Sequence, residues 1–289
     1  MRDVLDKFAD VTSPACGVRT LKCRDLTLEI GNRTLIMGIL NVTPDSFSDG
    51  GRYDSVDKAV RRAFEMVEEG ADIVDIGGES TRPGATVVPA DEELRRVIPV
   101  IEALIAAGLK VPISIDTYKA AVAVRALEAG AHIINDIWGC KRDPQMAGVA
   151  AAWDCPIVLM HNRERPVYEH LILEMLNDLR ECVDIALAAG VKPERIVLDP
   201  GIGFGKTYEH NLTVMNHLHH VAALGYPVLL GTSRKSMIRN TLQLPVDDVV
   251  EGTAATVALG IAQGCQIVRV HDVKAMKRVA VMTDAIVRR

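Results

Sequence analysis

The chain repeats one pattern: a short run of Val, Ile and Leu, a polar or Gly/Pro break, and a longer stretch of helical periodicity. The short runs are expected to be strands buried on both faces, and their alternation with helices is typical of a parallel sheet. The predicted strands are 35–41, 72–77, 112–117, 133–137, 156–161, 196–200, 227–233 and 266–272. The predicted helices are 55–70, 90–108, 119–130, 144–153, 167–189, 207–225, 234–264 and 273–287. Eight such units in about 250 residues favour an α/β fold of the (β/α)8 TIM-barrel type over an open doubly wound sheet.

The breaks between the units support these boundaries. A glycine follows several predicted helices, where a left-handed residue commonly caps the last turn, at positions 70, 108, 130, 190, 225 and 264. The stretch 234–264 contains Leu244-Pro245 and is expected to be two helices. Residues 1–34 hold two short alternating runs followed by Gly31-Asn32, which predicts a short N-terminal β-hairpin or cap. No linker divides the chain, so residues 1–289 are predicted to form a single domain.

Composition narrows the classes of protein to be considered. With 289 residues, of which 48% are hydrophobic and only 4% aromatic, the chain can bury a large aliphatic core. Its net charge of −5 gives no reason to expect a nucleic-acid partner. No apolar stretch approaches the roughly 18 residues of a transmembrane helix, so no membrane partner is expected. The six cysteines include no Cys-x-x-Cys pair, which indicates neither a zinc site nor a disulfide framework and favours a cytoplasmic protein.

Polar residues recur at one point of the repeat, the carboxyl-terminal end of each predicted strand. In a barrel these ends meet at one face, where the active sites of this fold lie. Scattered surface polarity would not recur at the same position of eight units. The residues are Asn41, the segment Glu79-Ser80-Thr81-Arg82, Asp116, Asn135-Asp136, His161, Asp199, the segment Ser233-Arg234-Lys235, and Arg269 with His271.

The first of these ends opens a loop that runs from Asn41 to Gly51. It carries one amide, two carboxylates, three hydroxyls and a lone Phe, and long polar loops on a rigid scaffold often hold functional residues. The alternative is a solvated turn. Asn41 could bind a hard cation, yet one amide oxygen cannot hold Mg²⁺ alone, so such a metal would keep waters and bind substrate phosphates.

A glycine-rich segment begins at Asp199-Pro200-Gly201. Its spacing fails both the Walker pattern and the Gly-x-Gly-x-x-Gly fingerprint, so it does not predict a nucleotide site. What remains is a carboxylate at a strand end, as at Asp116, together with the amide of Asn135 at another end. This set would suit a flat heterocycle with several N–H donors, because buried donors must be paired. Each of the three could instead cap a helix.

Two basic groups complete the predicted rim. Ser233-Arg234-Lys235-Ser236 opens a helix, where the dipole, unpaired N–H groups and positive side chains favour an anion; the alternative is an ordinary basic first turn. Arg269 and His271 alternate along the last strand and therefore point to the same side. An Arg inside a barrel strand suits a bound anion or a stacked ring. The His-rich stretch 217–220 lies in a predicted helix and is interpreted as a surface or capping feature.

Together these motifs resemble the dihydropteroate synthase family. The matching segments are Asn41–Gly51, Gly77–Gly84, Ser114–Thr117, Ile134–Asp136, Asp199–Gly205, Ser233–Ser236 and Arg269–Asp272, in order and with the expected spacing. The family consists of TIM barrels of folate biosynthesis, usually homodimers, that are sulfonamide targets. The resemblance implies a transferase that condenses 6-hydroxymethyl-7,8-dihydropterin diphosphate with 4-aminobenzoate to give 7,8-dihydropteroate and diphosphate.

The resemblance also implies a role for each matching residue at the pterin diphosphate. Asp116, Asn135 and Asp199 would read the donor edge of the pterin, and Met160 would be a further contact. Lys235 would meet the carbonyl and ring-nitrogen side, and Arg269 would stack on the ring face. Asn41 would bind Mg²⁺ on the diphosphate, with Arg269 and His271 holding that leaving group. Lys235, Asp116, Arg269 and Asn41 are therefore the expected catalytic residues.

The second substrate is assigned in the same way. The resemblance implies an aminobenzoate pocket formed by Thr81, Arg82, Pro83, Phe47, Phe204 and Ser236, in which Ser236 meets the carboxylate. Phe47 and Asp49 would lie on a flap that closes when diphosphate binds.

Two alternatives remain open at this stage. A pterin-binding barrel of corrinoid methyltransferases would share the carboxylate and amide set, but it has no use for the Ser-Arg-Lys anion site or the Arg-x-His pair. A non-catalytic paralogue that binds pterin and regulates would need the same pterin contacts. Release of diphosphate that depends on the amine distinguishes an enzyme from both alternatives.

Overall fold

A computed structural model describes residues 18–43, 52–79 and 87–288 and shows a barrel of eight parallel strands. The barrel strands are β3 Leu35–Asn41, β4 Ile73–Gly77, β5 Ile113–Asp116, β6 Ile133–Asp136, β7 Ile157–Met160, β8 Ile196–Asp199, β9 Leu229–Leu230 and β10 Ile267–Val270. Their hydrogen-bonded order is β8-β7-β6-β5-β4-β3-β10-β9, and a parallel bridge between Leu198 and Val228 joins the two ends. The predicted (β/α)8 TIM barrel is confirmed.

Helices lie between the strands, as predicted. They are α1 Arg52–Glu69, α2 Ala90–Ala106, α3 Ala120–Ala129, α4 Met146–Trp153, α5 Leu171–Ala188, α6 Tyr208–Met215, α7 Leu218–Ala222, α8 Ser236–Leu242, α9 Val250–Ala262 and α10 Val273–Val287, with a 3₁₀ turn at Pro193–Arg195. None of them, within the ranges that the structure describes, is long and apolar enough to cross a membrane.

Two predicted elements differ from the structure by more than a shift of a few residues at their ends. The stretch 207–225 is two helices, because His217 leaves the helical region (φ −126°, ψ 22°) although the apolar periodicity continues past it. The strand predicted at 227–233 is reduced to Leu229–Leu230, with Val228 in an isolated bridge to Leu198. The predicted break in 234–264 is confirmed: α8 ends at Leu242, and the capping residue Gln243 has φ 58°, just before Leu244-Pro245.

Glycine ends helices where the sequence indicates it. At Gly130, with φ 116°, the N–H bonds to carbonyls of the last turn of α3, a conformation that favours glycine because it has no Cβ. Positive φ values also occur at Gly70, Gly108, Gly190, Gly225 and Gly264. Each of these turns the chain back towards the next strand, so that every strand runs in the same direction.

The N-terminal hairpin closes one end of the barrel. Its strands, β1 Arg19–Cys23 and β2 Leu26–Ile30, pair antiparallel and confirm the predicted hairpin. Leu21, Cys23 and Ile30 are buried against lumen residues from the amino-terminal ends of the barrel strands. Arg24 holds the turn by donating to the carbonyls of Leu127 and Ala131. The amino-terminal end of the lumen is therefore filled with apolar side chains, and the opposite end is left for polar ones.

Candidate active site

The strand pleat places the predicted polar residues on the lumen side of the barrel. Inward positions alternate along each strand, and the register aligns Gly77 with Asp116, Asp116 with Asn135, and Met160 with Asp199. All four of these polar or sulfur-bearing side chains are buried. They come from the ends of four consecutive strands and therefore form one continuous wall at the carboxyl-terminal mouth.

Arg269 lies at the centre of this mouth. Its Nε donates to Asp75 Oδ2 at 2.6 Å and its Nη2 donates to Asp116 Oδ2 at 2.6 Å. Burial by itself would lower the pKa of Arg269, but Asp75 and Asp116 together raise it above its ordinary value. The guanidinium is thus a fixed positive charge that bridges two carboxylates.

The carboxylates respond to the same burial. Loss of water raises the pKa of Asp116 to about 7, which Arg269 opposes and the negative charge of Asp75 reinforces. Asp116 Oδ1 is buried and has no hydrogen-bond partner within the described part of the chain, and the same is true of Asp75 Oδ1 and Ser114 Oγ. Because buried acceptors are normally paired, these atoms indicate a ligand that brings N–H donors into the lumen.

Asp75 is a site residue that sequence reasoning missed. It is fully buried in β4, and its Oδ2 also accepts from Asn135 Nδ2 at 3.2 Å. Asp75 lies two positions before Gly77, the last residue of β4, whereas the predicted polar residue of this unit followed the strand. The period-2 alternation of the strand would have placed both residues on the lumen side.

Asp199 is held by the loop that follows β8. Its Oδ1 accepts from the Gly201 N–H at 2.7 Å, and burial raises its pKa to about 6 although this N–H and Lys235 lower it. Gly201 has φ 68°, and a Cβ there would lie 1.9 Å from the carbonyl oxygen of His161. The glycine-rich segment therefore brings its backbone against the end of β7, which is the close approach that its glycines allow.

Lys206 fastens this loop, a role that the sequence did not indicate. Its Nζ lies 2.7 Å from His161 Nδ1 and donates to the carbonyls of Gly201 and Phe204. His161 Nε2 faces Asp178 at 3.1 Å; since a carboxylate only accepts, Nδ1 is left to accept from the lysine. Burial lowers the pKa of Lys206 to about 7 and that of His161 to about 4. His161 was predicted only as a strand-end polar residue. Through its contacts with Lys206 and Asp178 it helps to stabilise the loop after β8.

Lys235 is the residue that precedes α8. Its Nζ lies 4.0 Å from the centroid of the Phe204 ring, within range of a cation–π interaction. Ser236 is the first residue of the helix, two positions after the predicted start at 234. The predicted residues Lys235, Ser236 and Phe204 therefore come together, although they belong to loops after two different strands.

Arg234 has a different role from the one that the anion-site prediction gave it. Its Nη2 lies 2.7 Å from Asp272 Oδ1 and its Nε 3.2 Å from the other carboxylate oxygen. The adjacent Ser233 Oγ accepts from the backbone N–H of His271 at 3.1 Å and lies 2.9 Å from its Nδ1. These contacts tie the loop after β9 to the end of β10, and Arg234 is neutralised by its ion pair.

Asn41 ends β3 at the edge of the lumen and is half-buried. Its Oδ1 would lie 3.8 Å from a Cβ placed on Gly77, and an Asp116 oxygen would lie 3.6 Å from the same point. The missing side chain of Gly77 thus leaves room between an amide oxygen and a carboxylate. The other predicted residues of the two polar loops lie outside the described residues; they are Phe47, Asp49, Thr81, Arg82 and Pro83.

Two further strand-end residues are structural. Asp136 accepts from the backbone N–H groups of Trp138 and Cys140 at 2.9 and 2.7 Å, which caps the turn after β6. Glu79 pairs with Lys119 and accepts from the Val88 N–H at 3.1 Å. Asp136 and Glu79 therefore stabilise loops next to the barrel, whereas Asp116 and Asp199 face the lumen.

The described part of the chain does not supply a complete metal site. Among residues 18–43, 52–79 and 87–288 there is no cluster of three His, Cys, Asp or Glu side chains arranged for a metal ion. The rings of His217, His219 and His220 stack with centroids 4.1 to 6.1 Å apart on α7 and the residue before it. A metal at the mouth would therefore need ligands from a substrate in addition to Asn41.

Comparison with known proteins agrees with this geometry. The family described as "Pterin binding enzyme" matches residues 37–271. The dihydropteroate synthase of Clostridium beijerinckii is 57% identical over 93% of this chain and 100% of its own, and that of Bacillus subtilis is 62% identical over 89% and 90%. The solved structure of the Xanthomonas albilineans dihydropteroate synthase with 4-aminobenzoic acid superposes with a TM-score of 0.89, at 43% identity over 93% of this chain and 98% of its own. The chain belongs to the pterin binding enzymes, within the dihydropteroate synthase family of transferases of folate biosynthesis.

Proposed function

We propose that this chain condenses 6-hydroxymethyl-7,8-dihydropterin diphosphate with 4-aminobenzoate, releasing diphosphate and forming 7,8-dihydropteroate. The observation that carries the proposal is the buried set of acceptors on Asp116, Asn135 and Asp199, which faces the lumen beside the cations of Arg269 and Lys235. The family membership indicates the reaction class. The acceptors and cations of this set are complementary to the hydrogen-bond donors and acceptors of a pterin.

The acceptor set suits the donor edge of the pterin. Asp116 Oδ1 is buried without a partner in the described residues, and Asp199 keeps its second oxygen for a ligand after accepting from Gly201. A pterin carries ring N–H and amino donors on one edge, and burial strengthens each bond that they make. Met160 lies between these groups and would contact the ring.

The cations suit the other end of the same substrate. Lys235 would meet the pterin carbonyl and ring nitrogen, and Arg269, already on the lumen side, would cover the ring face and help to hold the diphosphate with His271. Ser233 Oγ accepts from the backbone N–H of His271 and lies 2.9 Å from its Nδ1, so these contacts hold the imidazole at the end of β10.

Mg²⁺ is part of the proposal, and the described residues fit it only as a substrate-borne ion. Asn41 Oδ1 supplies one hard oxygen at the mouth, and the remaining ligands would be water and diphosphate oxygens. When bound, the ion would neutralise charge on the departing diphosphate.

We propose that the amine pocket lies between Phe204, Lys235 and the start of α8. Phe204 offers a flat apolar face, and Ser236 would meet the carboxylate of 4-aminobenzoate. Thr81, Arg82, Pro83, Phe47 and Asp49 belong to the same proposal through the family resemblance.

The chemistry requires little from a general base. The bond between the pterin CH₂ and the diphosphate oxygen breaks with its electron pair leaving on diphosphate, the neutral amine forms the new C–N bond, and the amine proton is then lost to water. Diphosphate is a good leaving group, so positioning and charge stabilisation carry the rate. We propose a step with SN1-like character, in which a pterin cation forms before the amine attacks.

The proposal extends to a homodimer in the cytoplasm. Val281, Met282 and Ile286 on α10 are 59–63% exposed, and Met282 and Ile286 are four residues apart on one helix face. Exposed apolar groups of this kind mark interaction surfaces. Five described cysteines are buried free thiols, which suits a reducing compartment. Sedimentation should give twice the chain mass, and Met282→Glu together with Ile286→Glu should give a monomer; a monomeric parent protein would remove the dimer from the proposal.

The test of the activity is direct. Incubation with the pterin diphosphate, 4-aminobenzoate and Mg²⁺ should release diphosphate in proportion to the amine consumed. Binding of the pterin without release would identify a regulatory paralogue instead, and release that is independent of the amine would identify a hydrolase.

A further inference from the structure

Asp75 is a buried charge at the floor of the proposed pterin pocket. It is fully buried in β4, where a lone carboxylate would be strongly unfavourable. Its Oδ2 accepts from Arg269 Nε at 2.6 Å and from Asn135 Nδ2 at 3.2 Å. In the sheet, β4 pairs only with β3 and β5. The Oδ2 atom of Asp75 therefore connects β4 to two strands that are not its neighbours, β10 through Arg269 and β6 through Asn135.

The contact with Arg269 sets the direction of the guanidinium. Because Nε is bound to Asp75, Nη2 reaches Asp116 Oδ2 at 2.6 Å. One oxygen of Asp116 is thereby occupied, and Oδ1 is left as the oxygen available to a ligand. Asp75 thus acts on Asp116 through the arginine.

The contact with Asn135 sets the direction of the amide. A carboxylate oxygen cannot donate, so the group that faces Asp75 must be the NH₂ of Asn135. The carbonyl oxygen of the amide then faces away from Asp75. An amide turned the other way would bring two oxygens together and would offer a donor to the donor edge of the pterin.

We infer that Asp75 is a positioning residue for the pterin site: through its Oδ2 it orients Arg269 and Asn135 so that two acceptors face the pterin donor edge. The inference rests on the proposed pterin site. It assigns a role to a residue that neither the strand-end pattern nor the family resemblance singled out.

The variant Asp75→Asn tests it, because it keeps the shape and removes the charge. Arg269 then has Asp116 as its remaining carboxylate partner, and the amide of Asn135 loses a charged acceptor. The KM for the pterin diphosphate should rise about tenfold to a hundredfold, which is the range for a hydrogen bond to a charged group. The KM for 4-aminobenzoate should be nearly unchanged. Asp72→Asn is the matched control: Asp72 precedes the same strand and pairs with Arg33, outside the mouth, so both KM values should stay the same.

A pH profile separates positioning from a general loss of structure. The groups that act on Asp116 are Arg269 and Lys235, which lower its pKa, and Asp75 and Glu93, which raise it. Pterin binding needs ionised Asp116, so kcat/KM for the pterin diphosphate should fall as the pH drops through about 7. Removing the Asp75 charge should move this fall to lower pH. Titration of the substrate is the same for both enzymes and cancels in the comparison.

The possible results separate the role of Asp75 from the location of the pterin site. An unchanged pterin KM in Asp75→Asn, or a rise in both KM values with an unmoved pH profile, would overturn the inference. If Asp75→Asn does not fold, Asp75→Ser, which also removes the charge but is smaller, must show the same displacement. Asp116→Ala tests the pterin site itself: if its pterin KM is normal, the proposed site is wrong, whereas a raised KM there with a normal Asp75→Asn refutes only the role of Asp75.

Discussion

Gly201→Ala adds one methyl group at the point where the loop after β8 meets the end of β7. The added Cβ would lie 1.9 Å from the carbonyl oxygen of His161, and real Cβ contacts are essentially never shorter than 3.0 Å. One of the two backbones must therefore move by at least 1.1 Å, the difference between 3.0 and 1.9 Å. Neither can give way as a flexible side chain would, because the oxygen is a main-chain atom and the Cβ is fixed directly to the main chain.

The cost has three parts. The left-handed φ of 68° is unfavourable for alanine by about 1–2 kcal/mol. The displacement also weakens the bond from the Gly201 N–H to Asp199 and the bond from Lys206 to the Gly201 carbonyl, each worth about 1 kcal/mol or more. The free energy of unfolding should therefore fall by about 3–5 kcal/mol. Because Asp199 loses the N–H that orients it, the KM for the pterin diphosphate should rise at least about tenfold.

Gly108→Ala is the matched control. Gly108 has a similar φ of 75°, but a Cβ there would meet nothing within 4 Å. Urea unfolding of both variants separates the two effects, since the control should lose only the backbone term of about 1–2 kcal/mol and keep normal kinetics. If Gly201→Ala is within about 1 kcal/mol of the control and its pterin KM is normal, the packing of this loop against His161 is wrong.

Three further predictions follow from the same geometry. Lys206→Met leaves His161 and two carbonyls without their hydrogen-bond donor and should lower the free energy of unfolding by about 2–4 kcal/mol. The control Lys192→Met, at an exposed ion pair, should change it by less than about 1 kcal/mol. Equal losses in the two variants would contradict the buried hydrogen bonds of Lys206. Asn41→Ala and Lys235→Ala should each abolish diphosphate release in the coupled assay and should change the free energy of unfolding little. Full activity of either variant would contradict the proposed function. Across substituted anilines the turnover rate should vary little with amine basicity; a steep dependence would exclude the SN1-like step.

The barrel was predictable because its signal is local and repeated. Each apolar run is long enough for a buried strand. A glycine such as Gly130 ends a helix because it adopts the left-handed backbone conformation without a steric penalty, which is a property of the residue itself. The repetition of the unit then fixes the topology, since parallel strands joined by helices have few alternatives. The split at His217 was missed because the apolar periodicity runs through it.

The partners of the charged residues were not predictable in the same way. Arg234 is part of a basic segment in the sequence, but the structure pairs it with Asp272, 38 positions later. Lys206 follows the glycine-rich segment in the sequence, and its partner His161 is 45 positions away. No spacing rule links such residues, because the distance between them is set by the closed barrel. Asp75 is the exception: the alternation within β4 carried the information.

The charges of the lumen favour the proposed chemistry. When all are ionised, the described residues that line the pterin end contribute three carboxylates, Asp75, Asp116 and Asp199, and two cations, Arg269 and Lys235, which leaves one net negative charge. Burial raises the pKa of Asp116 and of Asp199, because both carboxylates have lost the water that would stabilise their charge. A pterin that becomes positive as diphosphate leaves would interact more favourably with the net negative charge of the lumen than the neutral ring does. The excess stabilisation therefore belongs to the transition state, which is the condition for it to raise the rate.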